Sequence, residues 1–291
     1  MERLYKPHRV IELLNKYGFR FTKSLGQNFL IDGNIVRNIA DAAEVSEDDY
    51  VLEIGPGIGT LTEELALRAK KVVAVEIDHS LKEILKESLP YENVHIEFAD
   101  FLKLDLEKLV EEEFGDKPFK VVANLPYYIT TPIVEKFVES NLNIDSITIM
   151  MQKEVADRFS AQPSTKDYGT LSVFIQFYSD VSYKFSVSKN NFMPKPNVDS
   201  AVIKLKFKKD LPQINREKFF KIVKASFSKR RKTILNALSS YGLNIEKSAI
   251  LKALEISNIS PSRRGETLSI EEFIVLSINF PEIKGEDFNR S

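Results

Sequence analysis

The sequence predicts an α/β domain with a mostly parallel sheet, followed by a small all-helical domain. Three observations lead there. Between about residue 50 and residue 152, short apolar runs alternate with amphipathic runs of helical spacing, a pattern that builds right-handed βαβ units. After Phe207 the strand-like runs stop and the chain turns charged and helical. The length of 291 residues with 43% hydrophobic composition suits one large core and one small one.

The elements follow in order. Residues 8–17 read as a short helix with Val10, Ile11 and Leu14 inward, and "SLGQNFL" (24–30) as an ordered loop without clear period. Ile35, Val36, Ile39 and Ala43 recur at helical spacing. Then "YVLEIGPG" is strand and turn, "TLTEELALRA" helix, "KVVAVEID" strand and "SLKEILKESL" helix. "VHIEFAD" is strand, and an amphipathic stretch runs through Leu104, Leu106 and Leu109. "FKVVANLP" is strand, "TPIVEKFVES" helix, "DSITIMMQ" strand, and "DSAVIKLKFK" (199–208) a late strand. "KKDLP" reads as a linker, which places a catalytic domain at 1–207 and a helical domain at 208–291. In the latter, "LSIEEFIVLSINF" opens with a capping box, Ser269 with Glu272, and a staple between Leu268 and Phe273.

Composition closes several routes. The chain has no cysteine, so disulfides, Cys-bound zinc and thiol nucleophiles are excluded. His8, His79 and His95 lack metal-ligand spacing, so no metal is expected. No apolar run approaches a membrane span, and the N-terminus carries no signal-type core, so a cytoplasmic protein is expected. The net charge of −1 means that nucleic acid can be bound only through local basic patches.

"EIGPGIGT" (53–60) is a glycine-rich turn between a strand and a helix. Gly55, Gly57 and Gly59 remove side chains where a ligand must approach the backbone. A tight turn alone also accounts for them, and the G-x-G-x-x-G dinucleotide spacing is not met. Glu76 closes the next strand, where an acid can accept from both hydroxyls of a ribose. Asp100 and Asn124 close the two after it. Polar groups at four successive strand ends converge on the edge where open α/β sheets bind ligands, and they fit a nicotinamide cofactor or S-adenosylmethionine. Asn124-Leu125-Pro126-Tyr127 decides between these. It offers no acid or base for hydride chemistry. It does offer acceptors, the Asn124 side-chain oxygen and the Leu125 or Pro126 carbonyl, beside the aromatic face of Tyr127. Two acceptors on an exocyclic amine favour a pyramidal nitrogen with a localised lone pair, and stacking holds an extruded base.

At these residues the chain resembles the ribosomal RNA adenine N6,N6-dimethyltransferases, over nearly its whole length. "GQNFL", "VLEIGPGIGTLTEEL", "VEID", "FAD", "NLPYYI", "MMQKEVADR", "YGTLSV" and "FMPKPNVDSAV" carry the likeness. It implies a Rossmann-like S-adenosylmethionine-dependent methyltransferase domain acting on the small ribosomal subunit and its 16S RNA, with a part in subunit biogenesis. It implies that Asn28 and Leu30 contact the methionine part of the cofactor, that Gly55 and Gly57 form the glycine loop, that Glu76 serves the ribose and Asp100 the cofactor's adenine. Asn124 then grips the amine, and Tyr127 and Phe192 form its stacking faces. A monomer is expected.

RNA contact is expected from the basic run Lys229-Arg230-Arg231-Lys232, read as the end of a helix over 218–232 with Phe219, Val223 and Phe227 on one side and Lys218, Lys221 and Lys224 on another. Arg263 and Arg264 extend it, with Arg9, Lys16, Arg20 and Lys23 as a further group. Three alternatives stand beside this reading. One is the related resistance methyltransferase of large-subunit adenine, which shares every catalytic motif. The others are a nicotinamide dehydrogenase and a non-catalytic RNA-binding assembly factor.

Overall fold

The computed structural model describes residues 2–22, 25–125 and 129–283. In chain order the elements are α1 (Pro7–Lys16), β1 (Phe29–Leu30), α2 (Gly33–Ala43), β2 (Tyr50–Ile54), α3 (Thr60–Ala66), β3 (Lys71–Glu76), α4 (Lys82–Ser88), β4 (Val94–Phe98), α5 (Leu106–Phe114), β5 (Phe119–Asn124), α6 (Thr130–Glu139), β6 (Ile144–Gln152) and α7 (Lys153–Ser160). They continue as α8 (Thr170–Tyr178), β7 (Ser179–Val187), β8 (Phe192–Met193), β9 (Ser200–Phe207), α9 (Arg216–Phe227), α10 (Ile234–Ser239), α11 (Lys247–Ile256) and α12 (Ile270–Asn279).

Seven strands form one sheet in the order β4-β3-β2-β5-β6-β9-β7. Neighbours from β4 through β6 pair parallel, and β9 runs antiparallel to β6. Val51, Leu52, Val73, Ala74, Val121, Val122 and Ala123 are all buried. A parallel strand covered on both faces needs such a continuous apolar run. Chain order reverses direction between β2 and β5, so a crevice opens at their carboxyl ends. Helix starts are fixed by side chains at the positions that favour them: Asp32 accepts from Asn34 and Ile35 amides, Asp105 from Lys108 and Asn215 from Lys218.

Several expectations shift in detail. In α1 the inward face is Val10, Leu13 and Leu14, and Ile11 is 44% exposed. The loop 24–30 ends in a two-residue strand, β1, which pairs with β8. The apolar run at 219–227 is helix, but α9 stops at Phe227, and the basic run 229–232 is an exposed turn before α10. Lys218 is buried and pairs with Glu282 at 3.0 Å.

The chain divides into two compact units, and a single cut at 207 does not separate them. The first holds the chain up to Ala156 together with Asp180–Phe207, and the second Asp157–Ser179 together with the chain from Lys208 onward. The reason is visible in α8. Its Phe177 packs on Phe219 with ring centroids 4.8 Å apart, and Val173 joins the same apolar cluster as Ile222, Ile250 and Leu276. Just before α8, the buried Tyr168 hydroxyl donates to the Leu268 carbonyl at 3.0 Å. The capping box of α12 forms, with Leu268 and Phe273 both buried in that cluster.

A tight spot in the second unit gives a test. A Cβ built on Gly265 falls 2.5 Å from the Ser226 carbonyl oxygen, which is backbone and cannot swing away. Gly265→Ala is expected to lower stability by about 1–3 kcal/mol, as overpacking does, while Gly169→Ala, which meets nothing within 4 Å, stays within about 0.5 kcal/mol. Equal denaturation midpoints for the two variants contradict this packing.

Candidate active site

Parallel pairing lines up the ends of β3, β2 and β5. Ile54 sits beside Val75 on one side and Ala123 on the other, so Gly55, Glu76 and Asn124 emerge together. The Gly55 amide donates to the Val75 carbonyl at 2.9 Å, and the residue has a φ of 70°. A Cβ there meets nothing nearer than the Asn124 carbonyl oxygen at 3.9 Å. Glycine is therefore required by backbone conformation, and the space above it is open to a ligand. At Gly57, φ is 58° and a Cβ lies 2.9 Å from the Phe29 ring, so this glycine lets the turn close against β1.

Glu76 holds the turn. One carboxylate oxygen accepts from the Gly57 amide at 3.0 Å and the other from the Asp78 amide at 2.8 Å. The side chain is 5% exposed, and burial pushes its pKa up to about 7 against the pull of those amides. Asp78 in turn accepts from the Gln27 amide at 2.6 Å, which ties the loop before β1 to the end of β3.

Glu53 is the residue that sequence reasoning missed. It lies on β2, is 1% exposed and lines the same cavity as Glu76 and Asn124. Its Oε2 is buried without a hydrogen-bond partner, and burial with the nearby Glu76 charge pushes its pKa up to about 8. The signal was present in "YVLEIGPG": an acid inside an otherwise apolar strand has to be explained by something it faces.

The N-terminal segment supplies the opposite wall. Asn28 donates its side-chain amide to the Gly26 carbonyl at 2.9 Å, and its own carbonyl accepts from the Asn124 side-chain nitrogen at 3.4 Å. That second contact commits the Asn124 nitrogen as donor and leaves its carbonyl oxygen as the acceptor end of the group. Leu30 is buried, and register pairs it with Phe192 across β1 and β8. Phe192 is 4% exposed, packs in the apolar cluster of Leu30, Val36 and Val202, and also lines the cavity. It is thus core and wall at once. Leu125 is buried and its amide donates to the Met150 carbonyl at 3.2 Å. Pro126 and Tyr127 lie outside the described residues.

Asp100 follows β4 on the cavity rim. One carboxylate oxygen accepts from the Leu102 amide at 3.1 Å, and Lys103 approaches the other at 3.3 Å. Ile77 and Leu102 line the cavity as well and are exposed, an apolar pair that a planar ring could cover. Taken together, these groups fit a ribonucleoside carrying a cationic amino-acid arm. Glu76 suits a ribose, the apolar pair and Asp100 suit a base, and Glu53 adds a second buried acid to the cavity lining. Among the described residues no group of three or more His, Cys, Asp or Glu is placed to hold a metal ion, and no helix is long and apolar enough to cross a membrane.

The basic cluster belongs to the second unit. Lys229, Arg230, Arg231 and Lys232 are all exposed. Arg230 donates to the Lys166 carbonyl at 2.6 Å and lies 3.8 Å from Glu266. Arg263 does not extend the cluster as expected. It forks onto Glu272, with Nη2 donating to Oε2 at 2.9 Å, and that same carboxylate oxygen accepts from the Ser269 amide of the capping box at 2.8 Å. Arg9 pairs with Glu12 at 3.0 Å and Lys16 with Glu87 at 2.5 Å. Lys23 lies outside the described residues.

Comparison with known proteins agrees with this geometry. The family model described as ribosomal RNA adenine dimethylase matches residues 18–276. Ribosomal RNA small subunit methyltransferase A of Alkaliphilus oremlandii is 53% identical over 283 residues, 96% of this chain and 98% of the relative. The protein of that name from Clostridioides difficile is 50% identical over 95% of this chain and 96% of its own length. Among solved structures, a dimethyladenosine transferase from Plasmodium falciparum superposes with a TM-score of 0.75 at 26% identity, covering 85% of this chain and 95% of that one. The 23S rRNA methyltransferase ErmE gives 0.67 at 28% identity, over 87% and 99%. With a family model spanning most of its length and relatives at half identity, the chain belongs to the ribosomal RNA adenine dimethylase family, whose members are S-adenosylmethionine-dependent methyltransferases.

Proposed function

We propose that this chain dimethylates N6 of two adjacent adenosines near the 3′ end of small-subunit (16S) ribosomal RNA and thereby acts in subunit biogenesis. The observation that carries the chemistry is the orientation of Asn124: its nitrogen is engaged by the Asn28 carbonyl at the strand edge, so its oxygen is the end offered to an incoming amine. The choice of the small subunit is supported by relatives of that name at 50–53% identity, against 28% for ErmE. A monomer in the cytoplasm is the setting that fits this reading.

When bound, S-adenosylmethionine supplies an electrophilic methyl group on a sulfonium, which is already a good leaving group. The protein's work is then mostly positioning. Glu76 accepts from the ribose hydroxyls while its two backbone donors keep the carboxylate in place. Asn28 and Leu30 flank the methionine arm, Gly55 and Gly57 let the backbone come close, and Asp100 accepts from the cofactor's adenine amine. The Asn124 oxygen and the Leu125 or Pro126 carbonyl accept from the target amine, and Tyr127 and Phe192 clamp the extruded base. The alkylated nitrogen is strongly acidic and loses its proton without a dedicated base, in keeping with a cavity whose described lining has no histidine or lysine.

Labelled methyl transfer to under-methylated small subunits and, in parallel, to large subunits, followed by mass analysis of the nucleosides, is expected to yield N6,N6-dimethyladenosine in the small-subunit RNA alone. Asn124→Ala is expected to cut turnover by about a hundredfold or more, the scale of removing one transition-state hydrogen bond, with cofactor affinity within about twofold of wild type. Label in large-subunit RNA overturns the choice of substrate, and equal loss of affinity and turnover overturns the role of Asn124.

Both Glu76 oxygens can accept at full strength only when the carboxyl is ionised, since protonation turns one of them into a donor. With its pKa near 7, cofactor affinity is expected to fall as pH drops through that value and to hold above it. Glu76→Gln flattens this dependence and weakens binding by about 1–3 kcal/mol at pH 8. A wild-type binding curve that is flat from pH 6 to pH 8 contradicts the assignment.

Among the described residues no acid pairs with Lys229, Arg231 or Lys232, whereas Arg230 already serves the Lys166 carbonyl. Changing Arg231 and Lys232 together to Gln is expected to weaken subunit binding and to reduce the slope of log affinity against log salt by about one unit for each phosphate no longer neutralised. Wild-type affinity and slope in that variant make this turn a solvated surface.

A further inference from the structure

Lys136 lies on α6 and takes no part in the strand-end chemistry. Its ammonium donates to three backbone carbonyls of one loop: Phe101 at 3.0 Å, Leu102 at 3.2 Å and Leu104 at 2.6 Å. The nitrogen also lies 5.5 Å from the centre of the Phe101 ring, and the next residue, Phe137, packs its own ring on Phe101 at 5.4 Å. An ammonium has three donors, and here each meets a separate acceptor. The loop's own bonds are local. The Asp100 carbonyl accepts from the Lys103 and Leu104 amides at 2.9 and 3.0 Å, and the Asp100 side chain accepts from Leu102. Such a turn leaves its outward carbonyls to be satisfied from elsewhere. Lys136 is what supplies them.

The loop and the helix belong to different parts of the site. The loop carries Asp100 and Leu102, both on the cavity rim. The helix α6 opens at Thr130, and Ile129, the residue before it, lines the cavity too. We propose that Lys136 is a positioning residue that locks the base-binding loop to α6 and so holds Asp100 and Leu102 in place on the cavity rim. The proposal rests on the reading of Asp100 and its loop as the place of the cofactor's adenine. Lys136 reaches no ligand itself and acts only through the three carbonyls.

The test separates this role from a merely structural one and from the reading beneath it. Lys136→Met keeps the stem that packs on Phe101 and deletes the donors. In calorimetry with S-adenosylmethionine it is expected to raise Kd about tenfold, the scale of losing charge-assisted hydrogen bonds. Hydrogen exchange at the Lys103 and Leu104 amides is expected to accelerate, with the rest of the sheet unchanged. Lys136→Arg, which keeps the charge and several donors, is expected to recover most of the affinity. Should the Met variant not fold, Lys136→Gln, with two donors, takes its place and is expected to fall between. Wild-type exchange at Lys103 and Leu104 overturns the proposal. So does wild-type cofactor affinity in Lys136→Met when Asp100→Ala is weakened. If Asp100→Ala itself binds as wild type, the reading of that carboxylate is what fails, and the role of Lys136 is decided by the exchange rates and by its own affinity.

Discussion

The Glu76 carboxylate is taken out of water at the end of β3 and held there by two backbone amides, one from the glycine turn and one from Asp78. Burying an acid in this way is costly, as its upward pKa shows, and the two amides offset only part of that cost. The arrangement persists because the sheet leaves no other place for the residue. Parallel pairing with β2 fixes where β3 ends, and the turn after β2 closes over that point. Through Asp78 and Gln27 the same acid reaches the loop before β1, whose Asn28 carbonyl then orients Asn124. One buried group thus connects both ends of the crevice. Glu53, one strand over and also pushed up, means that this edge holds more proton affinity than an ordinary pair of carboxylates. A cationic ligand arriving there meets acids whose charge is stabilised by its own presence.

Most of this was legible in the sequence, for a physical reason. Strand-end positions in an α/β domain are marked by the change from an apolar run to Gly, Pro or an acid, so Gly55, Glu76, Asp100 and Asn124 announce themselves. Glu53 did not, because it sits inside the run and looks like part of the strand. The pairing of Leu30 with Phe192 was out of reach for a different reason. Two-residue strands have no period, and the partners are far apart in sequence. The same holds for Lys136, whose helical position gives no hint that three carbonyls of another loop converge on it.

The division of the chain was only half legible. The change of character at Phe207 marks a real boundary, but α8 lies earlier and belongs with the helices that follow it. Its apolar residues, "TLSVFIQFY", fit a helix buried in either unit, and periodicity cannot say which. Phe177 against Phe219 decides it. Helical patterning likewise extended the expected helix over 218–232 past its true end. Lysine and arginine are good helix formers, so propensity did not mark the stop at Phe227, where Ser228 ends the helix and the basic run becomes a turn.

That turn bears on how a nearly neutral protein can hold RNA. Many of its cations are already spoken for. Arg3 pairs with Glu63 and Glu64, Arg68 with Asp41 and Glu64, Lys218 with Glu282, and Arg263 with Glu272. Bases committed in this way contribute little to an outward field, because each carries its compensating charge within a few ångströms. A net charge of −1 therefore understates how uneven the surface is: what matters is which bases lack an acid beside them. Lys229, Arg231 and Lys232 are all exposed on the turn that follows α9, and among the described residues no acid pairs with them. On the proposed reading, such a patch would release several counterions in one encounter with a phosphate backbone, while the paired bases elsewhere would release few. Affinity from a few adjacent phosphates is steep in salt and indifferent to sequence. On the proposed reading, choice of the target adenine comes from the crevice itself, where the Asn124 oxygen and a neighbouring carbonyl would accept from its amine.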